Sequence, residues 1–89
     1  MKRLTTASAC RDVGRRVGEV RAERGLTQEA LAERLGKNPR WVQSVEGGKE
    51  NVTVETLVRL ANVLKVPLFE FFTPPTQPKR GPGRPPRSS

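Results

Sequence analysis

Residues 28–47 read QEALAERLGKNPRWVQSVEG. Leu31, Leu35, Val42 and Val45 are apolar, Ala32 is small, Gly36 sits at a break, and the intervening positions are mostly polar or charged. That is the pattern of two short helices meeting at a tight turn. Thr27 is placed to accept a bond from a free backbone N–H of the first helix, and Leu26 and Leu31 have the spacing of an apolar staple around that cap. Asn38 then caps a second helix. Pro39, at its first position, loses no intrahelical bond and holds φ near the helical value. Gly47-Gly48 provides the stop. With Val42 and Val45 turned inward, Arg40, Gln43, Ser44 and Gly47 form an outward stripe of the right size for a major groove.

Working outward, Val13, Val17 and Val20 repeat at helical spacing and predict a helix over about residues 11–24, ended by Gly25. Gly14 and Gly18 weaken it by about 1 kcal/mol each relative to alanine unless they admit close packing. Residues 1–10 show no clear period and read as a flexible arm, in which Lys2 and Arg3 are solvated or touch phosphate. After the loop GGKEN, Thr53 is a good cap, with Val52 and Leu57 at staple spacing. Leu57, Leu60, Ala61 and Leu64 then share one face of a helix over about 54–65, and Pro67 opens a short last helix. In that last segment LFEFF places three Phe close together. They either close the core or, with Val58 or Leu68, present part of a two-fold dimer contact.

These capped helices, in this order, resemble the helix-turn-helix of the Cro/C1-type (XRE) family of bacterial and phage DNA-binding proteins. The likeness runs over residues 13–72, from VGRRVGEVRAERGLTQEALAERLG to WVQSVEGGKENVTVETLVRLANVLKVPLFEFF. It implies an all-α, five-helix, lambda-repressor-like DNA-binding domain over residues 11–72. It also implies base contacts from the first turns of the helix beginning at Pro39. Arg40 suits guanine, Gln43 suits adenine, and Ser44 reaches either a base or a phosphate. Pro39 departs from the family, which often has a donor there, so that contact is absent or passes to Arg40 or Trp41. Trp41 lies at the border of the buried face and packs over the helix flank or a sugar-phosphate more readily than between bases. Lys37 also departs, standing where the family has an apolar turn residue. Phosphate contacts are implied at Gln28, at a helix start where free N–H groups favour anions, and at Lys49 and Asn51 in the following loop. A carboxylate beside DNA is repelled by phosphate. The resemblance therefore assigns Glu46 to a structural ion pair with Arg21 of the first helix.

Composition fits a polyanionic partner. The 89 residues hold 17 Lys and Arg against 9 Asp and Glu, a net charge of +8. Such a balance points to nucleic acid, although it says nothing of fold. One Cys and no His leave no disulfide framework and no zinc site within the chain. No cofactor is expected, and with neither a nucleophile–base pair nor a phosphate-cradling loop the chain is not expected to be an enzyme. The opening MKRLTTASAC is too short and polar for a signal-peptide core, no run is long enough to span a membrane, and a cytoplasmic, nucleoid-associated protein is expected.

Past residue 73 the chain changes character. PPTQPKRGPGRPPRSS has no aliphatic or aromatic side chain and carries Lys79, Arg80, Arg84 and Arg87 without an acid. Residues 73–89 are therefore expected to be a disordered basic tail. The core Gly83-Arg84-Pro85 resembles an AT-hook, an extended segment that lies in narrow A·T minor grooves. Pro82 stands where that motif has Arg. Sequence-blind attraction to DNA and a Pro-rich ligand for a protein domain are the alternatives. The expected function is a double-stranded DNA-binding transcriptional regulator, acting as a homodimer on a two-fold operator with half-sites about 34 Å apart. The rival expectation is an antitoxin or accessory module that uses the same helices to hold a protein.

Overall fold

The computed structural model describes residues 3–75. Four α-helices are followed by one short 3₁₀ segment: α1 Thr6–Glu23, α2 Gln28–Leu35, α3 Pro39–Glu46, α4 Val54–Leu64, then Leu68–Phe72. Among the described residues there is no strand. The all-α reading therefore stands, but the fifth helix is a 3₁₀ turn. Pro67 starts it, and Pro74-Pro75 follow at once, which disfavours an α-conformation just ahead of them.

The N-terminal boundary also needs correction. Residues 6–10, expected in a flexible arm, are the first turns of α1. The Thr5 hydroxyl accepts from the Ser8 amide at 3.0 Å, and the Ser8 hydroxyl accepts from the Thr5 amide at 3.3 Å. This is a reciprocal capping box with Ser in the place usually held by Glu or Gln.

Each later helix starts on the cap its sequence carries. Thr27 accepts from Ala30, Asn38 from Trp41 and Thr53 from Thr56, each at 3.0 Å. Between α2 and α3 the reversal depends on Gly36, whose φ of 71° is left-handed. Its amide bonds the Glu33 carbonyl at 3.2 Å and the Lys37 amide bonds that of Ala32 at 2.9 Å, the paired bonds of a Schellman stop.

The inward faces meet in one core of Val17, Val20, Leu31, Ala32, Leu35, Val42, Val45, Leu57, Leu60, Ala61, Leu64 and Phe71. Of the three phenylalanines only Phe71 closes it; Phe69 and Phe72 are 64% and 58% exposed. The 3₁₀ segment is tied to α1 by Arg16, a buried cation that the sequence reading passed over. Its Nε donates to the Glu70 carbonyl at 2.9 Å and its Nη2 to the Glu70 carboxylate at 2.6 Å. Its Nη1 donates to Glu19 at 3.0 Å. Burial opposes the Arg16 charge, yet the bonds to Glu70 and Glu19 outweigh it and hold its pKa above the usual value. Across the other side, Arg59 donates to the Leu35 carbonyl at 2.7 Å and so fixes α4 over the end of α2.

Candidate nucleic-acid interface

On α3 the inward and outward halves separate cleanly. Val42 and Val45 are 1% and 3% exposed, whereas Arg40, Gln43 and Gly47 are exposed and Ser44 is partly so. Asn38, Pro39, Arg40 and Gln43 line an open depression at the helix start. The described part of the chain therefore leaves this side uncovered. A guanidinium and, one turn on, a primary amide and a hydroxyl present donors and acceptors suited to base edges.

Trp41 falls outside that stripe. It is half-buried against the edge of the core, and the Lys37 ammonium stands 5.1 Å from its ring centroid, within cation–π range. Lys37, where the family has an apolar turn residue, thus lays its long side chain over the aromatic face.

Behind the stripe, Glu46 is the acceptor for three donors. Arg21 Nε reaches Oε2 at 2.6 Å, Arg21 Nη2 reaches Oε1 at 3.0 Å, and the Gln28 amide reaches Oε1 at 2.9 Å. A further bond from Arg21 Nη1 to the Leu26 carbonyl, 2.7 Å, holds the fork in plane. Both side chains are mostly shielded, 17% exposed for Arg21 and 12% for Glu46. The hydrogen bonds to Glu46 are the main reason that Arg21 is held more firmly charged than a free guanidinium. One carboxylate thus joins α1, α2 and α3. Gln28, expected on phosphate, spends an amide proton on this junction, and the Thr27 cap takes the Ala30 amide, so that the Gln28 and Glu29 backbone amides are the ones at the start of α2 left outside the cap.

Close backbone approach makes this junction possible. A Cβ at Gly14 would lie 2.1 Å from the Val45 carbonyl oxygen, and one at Gly18 would lie 3.0 Å from Glu46 Oε1. Lys49 and Asn51 are exposed in the loop beyond. The Lys49 amide bonds the Ser44 carbonyl at 2.8 Å, which keeps Lys49 beside the end of α3; Asn51 instead borders a groove with Thr5, Thr6 and Val52. Lys79, Arg80, Gly83, Arg84, Pro85 and Arg87 lie outside the described residues.

No cluster of metal-ligating side chains occurs among the described residues, and no helix there is long and apolar enough to cross a membrane. Two capped helices at a tight turn, the second with its outer face open, define the class: a helix-turn-helix DNA-binding domain. The chain belongs to the helix-turn-helix family, whose sequence model matches residues 17–71. It is 42% identical over 62 residues to the HTH-type transcriptional regulator y4dJ of Sinorhizobium fredii, covering 70% of this chain and 80% of y4dJ. To the HTH-type transcriptional regulator PuuR of Escherichia coli it is 34% identical over 65 residues, 73% of this chain but only 35% of PuuR. Among solved structures, the restriction-modification controller protein C.AhdI from Aeromonas hydrophila superposes with a TM-score of 0.67 at 35% identity. That match covers 74% of this chain and 98% of C.AhdI.

Proposed function

We propose that the chain is a sequence-specific transcriptional regulator that places α3 in the major groove of double-stranded DNA and reads bases with Arg40, Gln43 and Ser44. The observation that carries this reading is the open outer face of α3 above two fully buried valines. Lys49 and the start of α2 approach backbone phosphates, which supply affinity without sequence information. Arg21 and Glu46 are structural in this reading. The names of its relatives, transcriptional regulators and a restriction-modification controller, support the same role. Arg40→Ala is expected to cost about 1–3 kcal/mol on a selected duplex and to relax the preference at one base pair. Titration of that duplex and a scrambled one checks it, and equal losses on both would contradict base reading by Arg40.

The regulator acts as a two-fold dimer in this proposal. Val54 and Val58, one turn apart on α4, and Phe69 and Phe72, one turn apart on the 3₁₀ segment, are large apolar side chains left in solvent. Sedimentation is expected to show a dimer for the wild type and a monomer for Val58→Glu with Phe69→Glu. A wild-type monomer both with and without DNA would remove the dimer. The basic segment around Gly83-Arg84-Pro85 adds a minor-groove contact beside the main site, a role its composition supports.

A further inference from the structure

The edge of α1 that lies along α3 carries two cations that make no ion pair between helices among the described residues. Gly14 and Gly18 put α1 in backbone contact with the last turn of α3, and the same line continues to Arg11. A Cβ at Gly48 would lie 2.7 Å from Arg11 Cα and 2.8 Å from its Cγ. Gly48 directly follows Gly47, the last residue of the outward stripe of α3, and precedes Lys49. The loop is thus seated on Arg11 at the point where it leaves the proposed DNA face.

Arg15 stands one turn along from Arg11, on the same face of α1. Arg11 is exposed and Arg15 half-buried. The interhelical ion pairs of α1 are made by Arg16 and Arg21. Arg11 and Arg15 have no carboxylate across a helix interface among the described residues. A helix lying in a groove about 12 Å wide brings its ends close to the flanking backbones.

We propose that Arg11 and Arg15 extend the DNA-binding face onto α1, each neutralising a backbone phosphate on the strand beside the C-terminal end of α3. This rests on the reading of α3 given above. The two residues contribute affinity and register, not base choice, because phosphate carries no sequence. They act with Lys49, which the loop brings to the same end.

The test is the salt dependence of binding by the full chain, on a duplex selected from a random pool by the wild type and on a scrambled duplex of equal length. For Arg11→Gln with Arg15→Gln, the slope of log K against log salt is expected to fall by about 1.8, near 0.9 per phosphate released. The preference for selected over scrambled DNA should stay unchanged. Arg11→Lys with Arg15→Lys keeps the charges and should keep the slope. Arg24→Gln with Lys65→Gln removes one charge at the far end of α1, about 13–20 Å along the helix from Arg15 and Arg11, and one at the end of α4 beside it, and should also leave the slope intact. A wild-type slope in the double Gln variant, with selective binding intact, would overturn the α1 contact and leave the α3 reading standing. An equal drop in the Arg24/Lys65 variant would reduce the effect to net charge and also overturn it, as would loss of sequence preference in the double Gln variant. Failure of the wild type to select any duplex would remove the α3 reading, and this inference with it.

Discussion

Gly14→Ala is expected to destabilise the protein by about 3 kcal/mol, at the upper end for an overpacked contact. On helix propensity alone the same change stabilises a helix by about 1 kcal/mol, so the two effects have opposite signs. Space decides between them. The added Cβ would sit 2.1 Å from the Val45 carbonyl oxygen and 3.1 Å from that of Glu46, and backbone atoms cannot rotate aside as a flexible side chain can. Either α1 lifts away from α3 or α3 bends, and both responses open the core around Val17, Val42 and Val45. Small domains have typical stabilities at the low end of about 5–15 kcal/mol, so the change removes a large share. A melting curve should shift down by about 12–24 °C for a domain of this size. An alanine variant that melts at or above the parent temperature would show that the two helices are not in backbone contact.

The second large effect is expected at Glu46. Glu46→Gln keeps the shape of the side chain but removes the charge on which the Arg21 fork and the Gln28 amide converge. Arg21 is then left mostly shielded with no carboxylate bonded to it, which costs about 3 kcal/mol. The figure belongs at the low end for a broken buried pair because 17% of Arg21 still sees solvent. Replacing both charges with apolar groups, Arg21→Met with Glu46→Leu, should cost less than Glu46→Gln alone, since no charge is stranded. Chemical denaturation of the three proteins checks the order. A Glu46→Gln protein as stable as its parent would contradict a structural role for the pair. The same variant should also loosen α3 relative to α2, so its loss of DNA affinity should exceed what a surface carboxamide explains.

The helix-turn-helix was legible because its signals are local. Thr27, Asn38 with Pro39, Thr53 and Gly36 each act on backbone groups within a few residues, and the observed bounds of α2, α3 and α4 follow those caps. The valines of α3 were legible from spacing alone. The start of α1 was not, since its capping box uses Ser8 where Glu or Gln is the usual signal. The last helix is legible from its proline start, whereas its 3₁₀ form follows from the prolines at 74 and 75, which disfavour an α-conformation just ahead of them.

What sequence reading missed at the site shares one cause: the partner is distant in the chain. Arg16 looks like a solvated residue between valines until Glu70, 54 residues on, is folded against it. Glu19 and Glu23 at i+3 and i+7 were the one local hint that this side of α1 wants a cation. Gln28 reads as a phosphate ligand from its place at a helix start, and its bond to Glu46 appears only when α3 returns across α2. Gly14 and Gly18 were recognised as either defects or sites of close packing, and only the tertiary approach of α3 decides for packing.

With the outer face of α3 in the major groove, as proposed, guanine N7, an acceptor exposed only there, reports on the contact directly. Dimethyl sulfate probing of a selected duplex should show protected guanines in two symmetric clusters about one helical turn apart, with protection lost at one guanine per half-site in Arg40→Ala. Full binding with every guanine N7 still reactive would place the protein elsewhere on the duplex and contradict the account.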